Sequence, residues 1–320
     1  MSADDAAIIR TQGLTKSFNG VPALNSLDLM VPKYSIFGFL GPNGAGKTTT
    51  IKLLLGLARP TAGSGTIFGQ DIVQDSVDIR RRIGYLAQEP RFYEYMTARE
   101  TLRFKARFYY RGPADTMEAR IAETLALVGL SDRADRPIRG FSGGERQRLG
   151  IAQAQVTYPD LLILDEPAAA LDPIGRHDVL AVMERLREHT TIFYSTHILD
   201  DVQRVSDAVA ILNHGELVAQ APIGELLGGS SGTVYTLVLE GDAAGTRTRV
   251  ADQAWVAAME VLPGDGMTTW HVTVTDEQAA KARLLRLVLA DTQVSVRSFG
   301  PKTYELEQVF MILVTGTAGG

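Results

Sequence analysis

Residues 41–48 carry the clearest chemical signal in this chain of 320 residues, because they read Gly-Pro-Asn-Gly-Ala-Gly-Lys-Thr. The spacing matches G-x-x-x-x-G-K-[ST], a loop that cradles phosphate groups. Its glycines let successive backbone N–H groups converge on phosphate oxygens, and the dipole of the following helix adds to the attraction. We therefore expect Lys47 to contact the β- and γ-phosphates of a nucleotide and Thr48 to hold Mg²⁺. The residues predicted to line this phosphate site are Gly41, Pro42, Asn43, Gly44, Ala45, Gly46, Lys47, Thr48 and Thr49.

Two adjacent acids, Asp165 and Glu166, follow an apolar run over 161–164 that predicts a buried strand. The carboxyl ends of strands in an open parallel sheet face the ligand crevice. Neighbouring carboxylates at such a place repel each other unless a cation lies close by. We assign Asp165 to the Mg²⁺ shell and Glu166 to the polarisation of an attacking water. Taken alone, the pair is equally typical of acids that simply end a strand.

A third candidate site opens a helix at residues 142–145, which read Ser-Gly-Gly-Glu. Ser142 is a favourable N-cap, and Gly143 and Gly144 leave backbone amides accessible to an anion. Without the other motifs, an ordinary capped helix is the simpler interpretation.

The order and spacing of these motifs resemble the nucleotide-binding subunit of ATP-binding-cassette (ABC) transporters. The resemblance runs from about Ile9 to Leu227, and Ser142-Gly143-Gly144 matches the signature that separates this family from other P-loop ATPases. It implies an ATPase that uses ATP and Mg²⁺. The catalytic residues it implies are Lys47, Gln88, Glu166 and His197, and the implied Mg²⁺ ligands are Thr48, Gln88 and Asp165.

The resemblance also implies roles for single residues. Phe18 stands where the family places an aromatic ring on adenine, although core packing is the alternative for a Phe. Gln88 matches a glutamine that senses Mg²⁺ and water and moves with the membrane partner, and its amide can both donate and accept. His197 matches a switch histidine at the γ-phosphate. The signature, Ser142 to Glu145, is expected to close over the ATP of a second subunit in a homodimer or heterodimer.

The chain departs from the family pattern in two places. Ala168 and Ala169 stand where many members carry Thr-Ser, in the loop that ends at Asp172 and crosses to the partner subunit. Glu145 stands where Gln is common. Asp172 and both acids at 165–166 are present, so we still expect hydrolysis.

Alternating strands and helices must position these residues. Apolar runs predict strands at 36–40, 161–164, 191–194 and 209–212, with a hairpin turn at 213–215. Helices are predicted over Lys47–Leu57, Thr97–Arg111 and Met117–Val128, the last two inside a helical insertion over about 90–140. The predicted fold class is α/β, a P-loop ABC cassette in which the resemblance implies an antiparallel β subdomain and a helical subdomain.

A Gly/Ser cluster at 228–232 predicts a linker, which divides the chain into a cassette, 1–228, and an accessory domain, 229–320. The accessory part is expected to hold strands and helices in the order β-α-β-β-α-β, as in a small ferredoxin-like α+β domain. Its predicted strands are 234–239, a short one around Val261, 270–274 and 294–298, and its predicted helices are 251–259, 277–289 and 304–313.

The last predicted helix refines the functional expectation. Residues 304–310 resemble the S-L-E-D-V-F helix near the end of many type-2 ABC exporter ATPases, with Leu306, Glu307, Val309 and Phe310 in agreement. A docked amphipathic helix is the alternative interpretation. We expect an exporter subunit, while an importer ATPase with a C-terminal regulatory domain and a soluble, non-transport ABC ATPase remain alternatives.

The amino-acid composition excludes several classes of function. The chain has no Cys, which excludes disulfide frameworks and catalytic thiols, and its net charge of −5 argues against a nucleic-acid partner. The N-terminus carries no basic signal region, and the longest apolar runs are strand-sized. Any membrane role is therefore expected to come through a partner. The family resemblance implies that this partner is a separate permease, which holds the chain at the cytoplasmic face of the cell membrane as a peripheral protein. The predicted docking anchors are Phe92, Tyr93, Tyr95 and Met96.

Overall fold

The computed structural model describes residues 7–228, 233–264, 266–302 and 306–315. The chain divides into two compact units, 1–223 and 224–320. This boundary precedes the Gly/Ser cluster, whose residues 229–232 lie outside the described ranges.

The first unit holds two sheets and the helices that cover them. Its strands are β1 (Ala7–Phe18), β2 (Val21–Leu27), β3 (Met30–Pro32), β4 (Ile36–Leu40), β5 (Ala62–Ile67), β6 (Gln70–Asp71), β7 (Ile83–Leu86), β8 (Leu161–Asp165), β9 (Thr191–Thr196), β10 (Ala208–Asn213) and β11 (Glu216–Pro222). Its helices are α1 (Lys47–Leu54), α2 (Ser76–Arg81), α3 (Ala98–Ala106), α4 (Ala114–Leu127), α5 (Gly143–Gln155), α6 (Pro173–Leu186) and α7 (Leu199–Val205). Helix α8 (Ile223–Gly228) begins at the last residue of this unit and continues into the second.

A six-stranded sheet with the order β11-β10-β4-β9-β8-β7 forms the centre of this unit. The five strands from β10 to β7 are parallel, and only β11 runs antiparallel. Every residue of β4, β8 and β9 is buried, which explains why these strands are mainly apolar or β-branched until the polar residues Asp165 and Ser195 near their carboxyl ends. The four strands predicted at 36–40, 161–164, 191–194 and 209–212 are confirmed. Because β4, β8 and β9 are parallel neighbours, the segments that follow them meet at one sheet edge.

A second sheet, with the order β2-β1-β5-β6 and with β3 paired to β1, is antiparallel. It is the antiparallel subdomain that the resemblance implied. The hairpin turn between β10 and β11 also has the predicted geometry, since His214 and Gly215 have φ angles of 47° and 81°. Two consecutive positive φ angles are typical of a tight two-residue hairpin turn.

Two of the predicted helices are shorter than expected. Helix α1 ends at Leu54 rather than Leu57, because Gly56 takes a left-handed φ of 65° that stops the helix. Helix α3 starts after the N-cap Thr97, whose side chain forms a capping box with Glu100, but it ends at Ala106 rather than Arg111. The amides of Phe108 and Tyr109 bond three residues back, so the chain tightens and leaves the helix before Gly112 and Pro113.

The second unit contains β12 (Thr233–Gly241), α9 (Ala244–Ala251), β13 (Val256–Gly264), β14 (Met267–Val274), α10 (Glu277–Leu289), β15 (Val294–Pro301) and α11 (Leu306–Thr315). Its strands form an antiparallel sheet with the order β13-β14-β12-β15. Leu237, Trp270 and Leu284 are fully or almost fully buried in its apolar core.

The helix predicted over 251–259 is wrong. The helix lies earlier, at α9, and residues 256–264 form β13. Val256 and Met259 pair with Val274 and Val272 of β14. Such long-range pairing overrides the weak local helix preference of this segment. Across the described ranges, no helix is both long enough and apolar enough to cross a bilayer.

Candidate functional site

The phosphate loop joins β4 to α1 and requires glycine at two positions for steric reasons. Gly46 is the N-cap of α1 with a φ of 105°, and a Cβ there would lie 2.7 Å from the carbonyl oxygen of Ala23. A Cβ on Gly41 would lie 2.4 Å from the carbonyl oxygen of Leu212. Backbone carbonyl groups of neighbouring segments thus pack closely against the loop at these two residues. The close packing holds the loop at the α1 N-terminus, where its amides and the helix dipole favour an anion.

Lys47 is buried at the base of this loop. Its Nζ donates hydrogen bonds of 2.6 Å to the Gly41 carbonyl and 3.2 Å to the Pro42 carbonyl. The same Nζ lies 3.2 Å from Oε1 of Glu166, and each of these side chains is only 6% exposed. A buried ammonium with a buried carboxylate partner strengthens the local field, because few waters screen the pair.

An oxygen-rich cluster lies beside the lysine. The Thr48 hydroxyl is 3.1 Å from Oδ2 of Asp165, and the buried Ser195 hydroxyl donates a 2.6 Å hydrogen bond to Oδ1. Hydroxyl and carboxylate oxygens are the ligands that Mg²⁺ prefers. The donor set of Thr48 and Asp165 therefore fits a magnesium ion, as the sequence predicts.

Glu166 is held from several sides. Its Oε2 lies 2.8 Å from Nδ1 of His197, and its backbone N–H donates a 3.0 Å hydrogen bond to Ser195. The residue has a left-handed φ of 50°, an uncommon conformation for a non-glycine residue. The side chain of His197 is 43% exposed, so the histidine bridges the buried carboxylate and the crevice. This geometry suits a carboxylate that accepts a proton from water and a histidine that orients it.

A cavity of about 340 Å³ lies at this cluster and is lined by Pro42 to Thr49, Gln88, Glu166 and Ala23, whereas Asp165 and His197 do not line it. Gln88 follows β7 and is exposed, so its amide can reach into the cavity. Phe18 ends β1 and is half exposed, and the Nζ of Lys16 lies 4.9 Å from its ring centroid. The alternative that Phe18 is a core residue is therefore wrong. Phe18 does not line the cavity, so its stacking on adenine stays a prediction.

The signature residues line a different cavity, of about 540 Å³. Ser142 caps α5 by accepting a hydrogen bond from the Glu145 amide, and the Glu145 side chain accepts one from the Ser142 amide. The amides of Gly143 and Gly144 lie at the same helix end. Asp172 caps α6 across the cavity through the Gly175 amide, so its carboxylate is fixed within the first unit. The structure therefore keeps the phosphate loop and the signature of one chain in separate cavities.

A third surface is an aromatic groove of about 620 Å³, which we define by its lining residues Tyr93, Tyr95, Met96, Glu100, Arg103, Phe104 and Arg107. Three of the four predicted anchors line it, and Phe92 does not. Tyr93 and Phe104 meet edge to face, with ring centroids 6.3 Å apart. The two rings are 57% and 47% exposed, a large apolar area for a surface.

Sequence reasoning missed Ser195, Ala23 and two arginines of the signature cavity, Arg133 and Arg136. Ser195 is in register with Asp165 across β8 and β9, a relationship that the linear sequence does not contain. Its position two residues before His197, at the end of an apolar strand, was the available signal. The arginines precede the signature by several residues, and only the fold brings them to it.

Comparison with known proteins agrees with this geometry. The family model described as "ABC transporter" matches residues 24–169. An uncharacterised ABC transporter ATP-binding protein of Bacillus subtilis (strain 168), YxlF, is 36% identical over 307 residues, which cover 96% of this chain and 99% of that protein. The daunorubicin/doxorubicin resistance ATP-binding protein DrrA of Streptomyces peucetius is 36% identical over 322 residues, which cover 98% of this chain and 94% of that protein.

A solved structure shows the same fold. The protein cbiO1 of Clostridium perfringens, described as part of the ABC transporter complex cbiONQ, superposes with a TM-score of 0.65 at 26% identity. The superposition covers 69% of this chain and 90% of that chain.

Proposed function

The chain belongs to the ABC transporter family of ATP-binding subunits, and we propose that it hydrolyses ATP to drive an efflux permease that is a separate chain. The observation that carries the proposal is the cluster of Lys47, Glu166 and His197 beside the oxygen pair of Thr48 and Asp165. The assignment to efflux is supported by similarity to DrrA, a drug-resistance protein, over almost the whole of both chains. The importer and soluble ATPase alternatives are not favoured by that similarity.

Each residue of the cluster contributes one action in the proposed reaction. The loop amides and Lys47 bind the triphosphate and offset its charge. Thr48 and Asp165, with Gln88 at the cavity wall, would hold Mg²⁺, which supplies charge neutralisation at the phosphates. Glu166 accepts the proton of the attacking water, and His197 orients the Glu166 carboxylate through the 2.8 Å contact. Phe18 offers a stacking face for the adenine.

We propose that the active form is a dimer, either homodimer or heterodimer. A bound triphosphate carries several negative charges, and the loop at residues 41–48 contacts it from one side only. The signature of the same chain lines another cavity, so a second subunit has to supply the opposite wall with its residues Ser142, Gly143, Gly144 and Glu145. Closure of two such subunits excludes water from the phosphates, which strengthens every contact there.

The proposed permease contact is the aromatic groove. Its exposed rings offer anchors for a short intracellular helix of a membrane protein. We propose that this contact holds the chain at the cytoplasmic face of the cell membrane as a peripheral subunit. We further propose that residues 1–228 form the cassette and 229–320 the accessory domain.

The deciding experiment replaces Glu166 with Gln, which removes the proton acceptor and keeps the side-chain shape. With ATP and Mg²⁺, Glu166→Gln is expected to form a stable dimer by size-exclusion chromatography, and turnover is expected to fall by at least about 10²-fold. Adding Lys47→Ala is expected to abolish the dimer, because the phosphate contact is lost. A Glu166→Gln protein that remains monomeric with ATP and Mg²⁺ would contradict the proposed function.

A further inference from the structure

The α5 end of the signature cavity holds a carboxylate where the proposed dimer has to receive a phosphate. Oε2 of Glu145 accepts a 2.8 Å hydrogen bond from the Ser142 amide. Oε1 of Glu145 lies 3.3 Å from Nε of Arg133. The Glu145 side chain is 16% exposed, whereas that of Arg133 is 50% exposed, and both residues line the cavity.

Glu145 carries its negative charge at this position. Burial opposes ionisation, but the Ser142 amide and the charges of Arg133 and Arg136 outweigh burial and hold the pKa of Glu145 below its usual range. A carboxylate at a helix N-terminus competes with any other anion for the same amides. Unless its charge is offset, Glu145 would repel the triphosphate presented by a second subunit.

We propose that Arg133 is a positioning residue of the composite ATP site, which holds the Glu145 carboxylate against the Ser142 amide and offsets its charge. The free amides of Gly143 and Gly144 then face a phosphate without a competing anion. This role rests on the proposed dimer, in which the signature closes over the ATP of the other subunit.

Arg136 also lines the cavity and lowers the pKa of Glu145 through its charge, whereas Arg148 and Asp172 are engaged elsewhere. Nη1 of Arg148 lies 2.5 Å from Oδ2 of Asp178, and the Asp172 carboxylate caps α6. Arg133 is the arginine in ion-pair contact with Glu145, and it reaches the signature from a short turn at Ser131–Arg133. Because the Arg133 side chain is half exposed, solvent screens the pair and it adds little to monomer stability. Dimer closure removes water from the cavity, so the same pair becomes stronger when ATP is enclosed.

The test measures ATP-dependent dimerisation by sedimentation velocity, with ATP and Mg²⁺ as the probe and Glu166→Gln as the parent. Arg133→Gln is expected to raise the ATP concentration for half-maximal dimer about tenfold, because it leaves a charged Glu145 facing the phosphates. Glu145→Gln keeps the capping box, because Gln also completes one, and it provides the background in which the Glu145 charge is absent. In the Glu145→Gln background, Arg133→Gln is expected to have almost no effect. Arg133→Lys is expected to require nearly the same ATP concentration for half-maximal dimer as the parent, because the positive charge is kept.

A matched control and a second readout separate the possible failures. Arg81→Gln removes another exposed arginine–acid pair, with Asp78 on α2, and is expected to leave dimerisation unchanged. Binding of ATP to monomeric Arg133→Gln is expected to match the parent, because its phosphate loop is intact. If Arg133→Gln weakens ATP-dependent dimerisation equally with and without Glu145→Gln, or does not weaken it at all, the role of Arg133 is overturned. A parent that does not dimerise overturns the proposed function and, with it, this role.

Discussion

The hydroxyl of Ser195 donates a 2.6 Å hydrogen bond to Oδ1 of Asp165, and both side chains are buried. The hydroxyl also accepts the backbone N–H of Glu166, so a single serine fixes both acids of the site. Asp165 cannot rotate away from Thr48 without breaking this bond. The acid pair therefore owes its geometry to β9 as much as to its own strand, β8.

Replacing Ser195 with Ala is expected to lower the affinity of the site for Mg²⁺. Loss of a supporting hydrogen bond to a metal ligand typically lowers metal affinity by about 10-fold or more. The Mg²⁺ concentration for half-maximal ATPase activity is expected to rise by that factor in a Mg²⁺ titration. The buried amide of Glu166 also loses its partner, so the free energy of unfolding is expected to fall by about 1–3 kcal/mol.

Thr190→Val is the control for the serine variant. Thr190 is a buried hydroxyl just before β9, and it donates a 2.9 Å hydrogen bond to the Pro159 carbonyl, away from the acid pair. The Thr190→Val variant is expected to have a lower free energy of unfolding but the same Mg²⁺ concentration for half-maximal ATPase activity as the parent. An equal Mg²⁺ shift in both variants would show that the effect of Ser195→Ala is structural only.

Replacing His197 with Ala is expected to lower the turnover rate by about 10²-fold, a typical contribution of a group that orients a general base. Affinity for ATP is expected to stay unchanged, because Lys47 and the loop amides hold the phosphates. Steady-state ATPase assays and equilibrium binding of a fluorescent ATP analogue separate the two quantities. His189→Ala, at an exposed histidine, serves as the control. Parallel loss of binding and turnover would contradict the orienting role.

The aromatic groove gives a prediction about coupling. Tyr93→Ala and Phe104→Ala are each expected to abolish most of the stimulation of ATPase activity by the permease, because buried aromatic anchors typically contribute about 2 kcal/mol or more to an interface. Basal ATPase activity of the isolated subunit is expected to be retained. Tyr34→Ala removes a tyrosine that is 76% exposed and does not line the groove, and it is the matched control. Full stimulation in both groove variants would place the permease elsewhere.

Local motifs were predictable and long-range partners were not. The loop at 41–48 and the acids at 165–166 were found because a short spacing or an apolar strand points to each of them, and His197 was assigned through the family resemblance. Ser195 was missed because its partner depends on the register between β8 and β9. Arg133 was missed because its contact with Glu145 needs a turn that folds back onto the signature.

Errors in the second unit have a similar cause. Residues 251–259 have a helical composition, yet Val256 and Met259 pair with β14, and sheet pairing is decided by partners distant in sequence. For the last helix, Leu306 is buried, while Tyr304 and Glu305 of the predicted motif lie outside the described residues. The resemblance of residues 304–310 to the exporter motif therefore remains a prediction from the sequence.

Ion pairs of the helical region predict a loss of stability in acid. An arginine hydrogen bond holds the pKa of Glu94, Glu118 and Asp135 below the usual range in each case. The unfolded chain, with ordinary carboxyl pKa values near 4.5 and 3.8, binds more protons than the folded chain as the pH falls. The stabilisation is therefore complete above those values and is lost as the pH falls through the lower folded values.

The pair of Glu118 and Arg103 tests this dependence most directly, because the two side chains join α4 to α3 through bonds of 2.5 and 2.8 Å. Glu118→Gln is expected to flatten the fall in unfolding free energy between about pH 5 and about pH 3, measured by urea denaturation of the full chain. Each side chain of the pair is about one third exposed, so solvent screening limits the difference to less than about 1 kcal/mol. Arg103→Gln is expected to flatten the curve equally, and the double variant to add nothing further. Curves for Glu118→Gln and the parent that run parallel through this range would contradict the assignment, because the proton uptake would then come from other carboxylates.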